Sequence, residues 1–146
     1  MRFMVLVRAS KESEAGSLPD EKILSEMGSF NDELIEAGVL LAGEGLQPSS
    51  KGARVAYSGS RRTVTDGPFT EVKELIAGYW LLQVKSGEEA IEWAKRAPFR
   101  DGEVEIRQVF ELEDFPVDPA EDPDGWRQKE QRFREEQQSR TAASQR

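Results

Sequence analysis

An α+β fold with two helices on one face of an antiparallel sheet follows from three observations. Short apolar runs alternate with amphipathic helical stretches in the order β-α-β, hairpin, β-α-β. Gly, Pro and Asp clusters punctuate that order. The core strands are apolar on both sides.

The elements follow in turn. Residues 2–8, RFMVLVR, are rich in branched and aromatic side chains and predict the first strand. Ser17-Leu18-Pro19-Asp20 predicts a helix start, with a Ser cap, an acid three residues on and Pro in the first turn. Ile23, Met27, Phe30 and Leu34, with Leu24 and Ile35 beside them, make its apolar face, and Gly38 its stop. Residues 39–42 are a short second strand entering GEGLQP. ARVAYS and RRTVT form a hairpin around Gly59, and the turn Asp66-Gly67-Pro68-Phe69 leads into a strand over 76–84. Ser86 and Glu89 predict a capping box for a helix over about 87–97, stopped by Pro98. In the last strand Val104, Ile106, Phe110 and Leu112 share one parity, and Glu105, Arg107, Glu111 and Glu113 the other.

This is the ferredoxin-like split βαβ arrangement with an inserted hairpin, over residues 1–115. Two helices cover one sheet face. Met4, Leu6, Tyr79 and Leu81 make the opposite face apolar as well, so the expected solution is a homodimer that closes a dimeric α+β barrel. Residues 116–146 predict a Pro-and-acid linker, then a polar helix either frayed or docked on the body or a partner through Trp126 and Phe133, and a disordered TAASQR end.

Composition excludes several classes of function. The net charge of −8 repels a nucleic-acid backbone, so no nucleic-acid partner is expected. No apolar run approaches the roughly 20 residues that span a membrane, and the N-terminal apolar stretch is too short for a signal sequence. A cytoplasmic protein is expected. Cys and His are both absent, which removes thiolate catalysis, Ser-His-Asp machinery and imidazole-bound zinc. Proton transfer is left to Asp, Glu, Lys or Tyr. No cofactor and no metal are expected.

Three sets of residues are candidates for a site. Asp66, with Glu71 and Lys73 following it, reads either as a turn former or as a carboxylate at a pocket mouth. In that turn Asp66 accepts backbone N–H bonds, Gly67 permits positive φ and Phe69 is an apolar anchor. Glu44, flanked by Gly43 and Gly45 and followed by Gln47, reads either as part of a strand-ending bulge or as a carboxylate held close to a ligand. Arg8, Tyr79, Gln83 and Gln108 interrupt apolar strands and need polar partners. In a barrel interior, Arg8 would clamp an anion and Tyr79 donate a hydroxyl.

The segments FMVLVR, AGVLLAGEGLQPS, VTDGPFTEVKELIAGYWLL, WAKRAP and EVEIR, in that order, resemble the YCII-related family and most of all its branch with the Asp-Gly-Pro-Phe motif. The likeness covers about residues 1–112. It implies a dimeric α+β barrel. Some relatives in the wider family are lyases acting on ring compounds, with a His-Asp pair proposed at the site. That pair is not intact here, because the chain has no His. The first reading is therefore a small-molecule-binding dimer, with lyase or isomerase activity toward an anionic or phenolic ligand and with Glu44 or Asp66 as acid or base. The alternative is a non-catalytic regulatory protein with a sigma-factor partner, since family members resemble proteins encoded beside extracytoplasmic-function sigma factors. Without imidazole or thiolate, any activity is expected to persist in a strong chelator; inactivation that zinc alone reverses would contradict this.

Overall fold

The computed structural model describes residues 1–116 and 118–144, which fall into two compact units, Met1–Gln108 and Val109–Arg146. The first unit is a mixed α+β structure. Its strands are β1 (Arg2–Arg8), β2 (Leu40–Gly45), β3 (Ala53–Ser58), β4 (Arg61–Asp66), β5 (Ile76–Gln83) and β6 (Val104–Gln108). Its helices are α1 (Lys11–Glu14), α2 (Glu21–Glu36) and α3 (Gly87–Lys95). Strands in the order β2-β5-β1-β6 form an antiparallel sheet, and β3 and β4 form a separate two-stranded sheet. No helix among the described residues is long and apolar enough to cross a membrane.

The register between β1 and β5 sets the core. Phe3 pairs with Leu82 and Val5 with Trp80, so these four side chains share one face. Phe30 and Leu34 of α2 and Ala90 of α3 close over that face; Leu34 and Ala90 are fully buried. Burying a side chain such as Leu34 stabilises the fold by roughly 1.5–3 kcal/mol. Trp80 meets Phe30 edge to face at 5.4 Å and donates its indole N–H to Asn31 Oδ1 at 2.9 Å. Gly43 belongs to this packing, because a Cβ there would stand 2.9 Å from the Trp80 ring.

Several boundaries differ from the sequence reading. The long helix starts at Glu21, capped by Asp20, whose carboxylate accepts the Ile23 N–H at 2.8 Å, and Ser17 lies outside it. A short helix not anticipated from sequence, α1, precedes it, with Ser10 and Ser13 capping each other's backbone N–H groups. Strand β2 runs on to Gly45, and the irregularity lies earlier, between Leu40 and Ala42. Glu89 does not reach back to its cap residue: Ser86 Oγ accepts the Glu89 N–H, while the Glu89 carboxylate accepts from Lys85 N. Strand β6 ends at Gln108, which pairs with Phe3, because β1 has almost no residues left to pair beyond that point. Phe110 and Leu112, expected in that strand, lie in the second unit.

In the second unit Phe115 packs on Phe110 at 5.2 Å and edge to face on Trp126 at 5.9 Å. The Asp122 carboxylate caps α4 (Trp126–Ser144) by accepting the Trp126 and Arg127 N–H groups. Arg134 binds Glu111 and Glu130. Phe133, expected as a second docking ring, is 54% exposed. The end expected to be disordered is helical through Ser144, and its last two residues lie outside the described ones.

The Asp-Gly-Pro-Phe segment forms a clasp at the base of the β3–β4 hairpin. Ser49 lies at the centre of it. Glu14 accepts the Ser49 hydroxyl and, at 3.1 Å, the Ser49 N–H; Ser49 Oγ in turn accepts the Phe69 N–H at 3.0 Å. Gly67 N–H donates to Gly52 O at 3.0 Å, and the Arg54 guanidinium lies 3.8 Å from the Phe69 ring centroid. Two expectations are corrected here. Gly67 is not in the positive-φ region, and its peptide to Pro68 is cis. Glycine is required instead by close approach, since a Cβ would lie 1.7 Å from Ser49 O. Asp66 forms no Asx turn: its carboxylate makes no hydrogen bond among the described residues, and the backbone bonds of the clasp go to Ser49 and Gly52. Gly67→Ala is therefore expected to destabilise the protein by about 1–3 kcal/mol or more, and Asp66→Asn to change stability by less than about 0.5 kcal/mol. Thermal or denaturant unfolding of the two variants checks both, and a neutral Gly67→Ala would overturn the clasp.

Candidate functional site

With α2 and α3 both on the Phe3–Val5–Trp80–Leu82 face, the opposite face of the four-stranded sheet carries the candidate site. Register places its residues in rows across the strands. One row runs Glu44, Tyr79, Leu6, Glu105, and the next Ala42, Leu81, Met4, Arg107. Directly opposed residues in an antiparallel pair stand about 5 Å apart on the same face. Met4, Leu6, Tyr79 and Leu81 are each half-buried, while Glu44 and Arg107 at the strand edges are exposed. The face is thus an apolar floor with a phenol in it and charges along both sides.

Electrostatics separates the two carboxylates of the first row. Glu105 is engaged: it accepts from Arg8 Nη2 at 2.8 Å, and Arg107 Nη1 lies 3.8 Å from its other oxygen. The Glu44 carboxylate makes no hydrogen bond or ion pair among the described residues, and Glu44 stands directly across from Tyr79. The face thus holds a carboxylate without a partner among the described residues, with a phenol on the neighbouring strand. Gly78 lets the two strands come together beside this pair, since a Cβ at that position would lie 2.8 Å from Glu44 O.

Arg8, expected as an anion clamp, is engaged with the protein itself. Besides Glu105 it donates from Nη1 to Lys73 O at 2.9 Å, and its Nε, buried without a hydrogen bond, lies 3.7 Å from a Glu103 oxygen. The chain thus brings together Arg8, the backbone of Lys73 and Glu105, and separately Glu44 with Tyr79. The Lys73 side chain and those of Glu71 and Gln47 are exposed, on the two connections that run to and from the hairpin. Asp66 ends β4 and pairs with Ala53 in the two-stranded sheet. It stands on a different sheet from Glu44.

Glu105 is the residue that sequence reasoning missed. Its outward parity in a one-sided strand was the available signal, but its partner Arg8 lies 97 positions away in sequence. On the helix side, the enclosed apolar void lined by Phe30, Trp80 and Trp93 measures about 10 Å³, room for about one water and for no organic molecule. Among the described residues no three carboxylates gather to hold a metal ion.

Comparison with known proteins places the chain. An uncharacterized protein of Rhizobium meliloti (strain 1021) is 32% identical over 76 residues, which cover 52% of this chain and 61% of that protein; the match therefore spans less than two thirds of the relative's length. Among solved structures, 5-chloro-2-hydroxyhydroquinone dehydrochlorinase (TftG) from Burkholderia phenoliruptrix AC1100, in complex with 2,5-dihydroxybenzoquinone, superposes with a TM-score of 0.43 at 11% identity. The superposition covers 78% of this chain and 98% of that one, and at that score it says nothing of this chain's chemistry. Residues 1–113 match the YCII-related domain. Since the match covers most of the chain, the protein belongs to the YCII-related domain family.

Proposed function

We propose that this chain, in the Asp-Gly-Pro-Phe branch of its family, binds a small phenolic molecule on the open sheet face and acts on it as a lyase or isomerase. The β2-β5-β1-β6 sheet is read as one ferredoxin-like half, and a second copy facing it encloses the site as an α+β barrel. The observation that carries the reading is the row Glu44–Tyr79–Leu6–Glu105, a free carboxylate and a phenol across one strand pair above an apolar floor.

Each residue has a role that its chemistry suits. Glu44 accepts a proton from the ligand as general base. The Tyr79 hydroxyl donates to the oxygen on which negative charge develops. Met4, Leu6 and Leu81 hold the ring and exclude water once the face is covered. Asp66, Gln47, Glu71 and Lys73 belong to the polar rim. The site favours a neutral phenol over an anion, because the guanidinium of Arg8 is already bound to Glu105 and Lys73 O, whereas Glu44 has no cation beside it among the described residues.

Sedimentation is expected to give twice the 16.4 kDa mass of one chain, and calorimetric titration to show binding of catechol but not of benzoate. Glu44→Gln and Tyr79→Phe are each expected to weaken catechol binding by about tenfold, in line with a lost hydrogen bond to a charged or oriented partner. Unchanged affinity in both variants, or a monomer that binds nothing, would overturn the reading.

A further inference from the structure

The β3–β4 hairpin points to a second surface, distinct from the open sheet face. All twelve residues of its two strands are exposed. A two-stranded ribbon is marginal in water unless another layer packs on it. Here Val55 pairs with Val64, Ala53 with Asp66 and Tyr57 with Arg62, so one ribbon face presents Ala53, Val55, Val64 and Tyr57, with Arg62 and Asp66 at its two ends. Val55, Val64 and Tyr57 are 47%, 65% and 72% exposed. That apolar face has no floor. The clasp at Ser49, Gly67 and Phe69 fixes the base of the ribbon, and the ribbon extends from it without burying any of its strand residues.

Charge indicates what covers it. From Lys51 to Asp66 the chain carries four cations, Lys51, Arg54, Arg61 and Arg62, against one carboxylate, Asp66, in a protein whose net charge is −8. Arg62 and Asp66 stand on the apolar ribbon face, while Arg54, stacked on Phe69, and Arg61 take the other. The open sheet face has the complementary character. It is apolar at Met4, Leu6 and Leu81 and edged by Glu44, which has no cation of its own, and by Glu103, which is 74% exposed. One chain therefore carries a basic apolar ribbon without a floor and an acidic apolar floor without a lid. Two copies related by a twofold axis satisfy both at once, each arm on the other's face.

We propose that the β3–β4 hairpin is a dimerisation arm that packs along the β2 edge of the open sheet face of a second copy, bringing Arg62 and Tyr57 to the edge of the partner's site beside Glu44. The arm thereby brings a cation, Arg62, that, unlike Arg8, pairs with no carboxylate among the described residues, although its Nη1 donates to Gly59 O and Arg61 O of its own hairpin. This rests on the second-copy reading above and extends it, because each site is then completed by residues of the other chain.

The absence of cysteine makes the test direct. Full-length Ala42→Cys and Val64→Cys variants, both conservative in size and polarity, are mixed and treated with a short bifunctional thiol reagent. Each chain then carries one thiol, so any link between positions 42 and 64 joins two chains. The expected result is an abundant 42–64 linked peptide from a species of doubled mass, with Val64→Asp weakening association by about tenfold or more. Doubled mass with 42–42 links alone, and a Val64→Asp variant that associates normally, would overturn the arm while leaving the second-copy reading intact. It would also leave the basic ribbon to an acidic partner of another kind. A single-chain mass for the parent protein would overturn both.

Discussion

The pairing of β1 with β5 is the constraint on which the rest of the unit depends. Both strands are apolar at successive positions rather than alternate ones, so the pleat sends large side chains to both faces. Phe3, Val5, Trp80 and Leu82 take the face closed by Phe30 and Leu34. The same register leaves Met4, Leu6, Tyr79 and Leu81 on the other face, beside β2 and β6. A slip of one residue would exchange the two sets. Trp80 resists that slip, since its ring is held by Phe30, by Asn31 and by the space that Gly43 leaves. The core thus orients the site: what locks the helix side also decides that Tyr79 stands across from Glu44.

The hairpin is tied to this sheet by local chemistry of a different kind. Its two connections, one from β2 and one into β5, meet at Ser49, where a carboxylate from α1, a hydroxyl and two backbone segments crowd together. The motif Asp-Gly-Pro-Phe is a packing motif first. Gly67 gives room for a carbonyl, Phe69 supplies a ring for Arg54, and Asp66 is left facing solvent. Its position links the sheet edge that carries Glu44 to the ribbon that carries Tyr57 and Val64.

Much of the fold was legible in the sequence because it is written in periodicities of two and of 3.6. The first strand, the hairpin around Gly59, the strong strand after residue 75 and both long helices follow from local pattern alone. Boundaries were less legible. Ser17 and Asp20 are equally good caps by residue type, and only the Ile23 N–H geometry selects Asp20. The alternation of apolar residues from Val104 to Leu112 continues past Gln108, but β1 does not extend to meet it. The site was half legible: Glu44 and Tyr79 stand out as a carboxylate between glycines and a phenol in an apolar strand. The pairing of Arg8 with Glu105 and the approach of Ser49 O to Gly67 depend on residues far apart in sequence, and no local pattern encodes them. The requirement for glycine at position 67 was visible, though its cause was not.

On the proposed reading, this chain meets other molecules through the open face and not through the helix side. Methyl NMR on the full-length protein tests it most directly, following Met4, Leu6 and Leu81 against Leu34 and Leu82 across a dilution series. The first three resonances are expected to shift with protein concentration, while Leu34 and Leu82, buried under the helices, stay fixed. Invariant Met4, Leu6 and Leu81 signals in a protein whose sedimenting mass changes over the same range would contradict it.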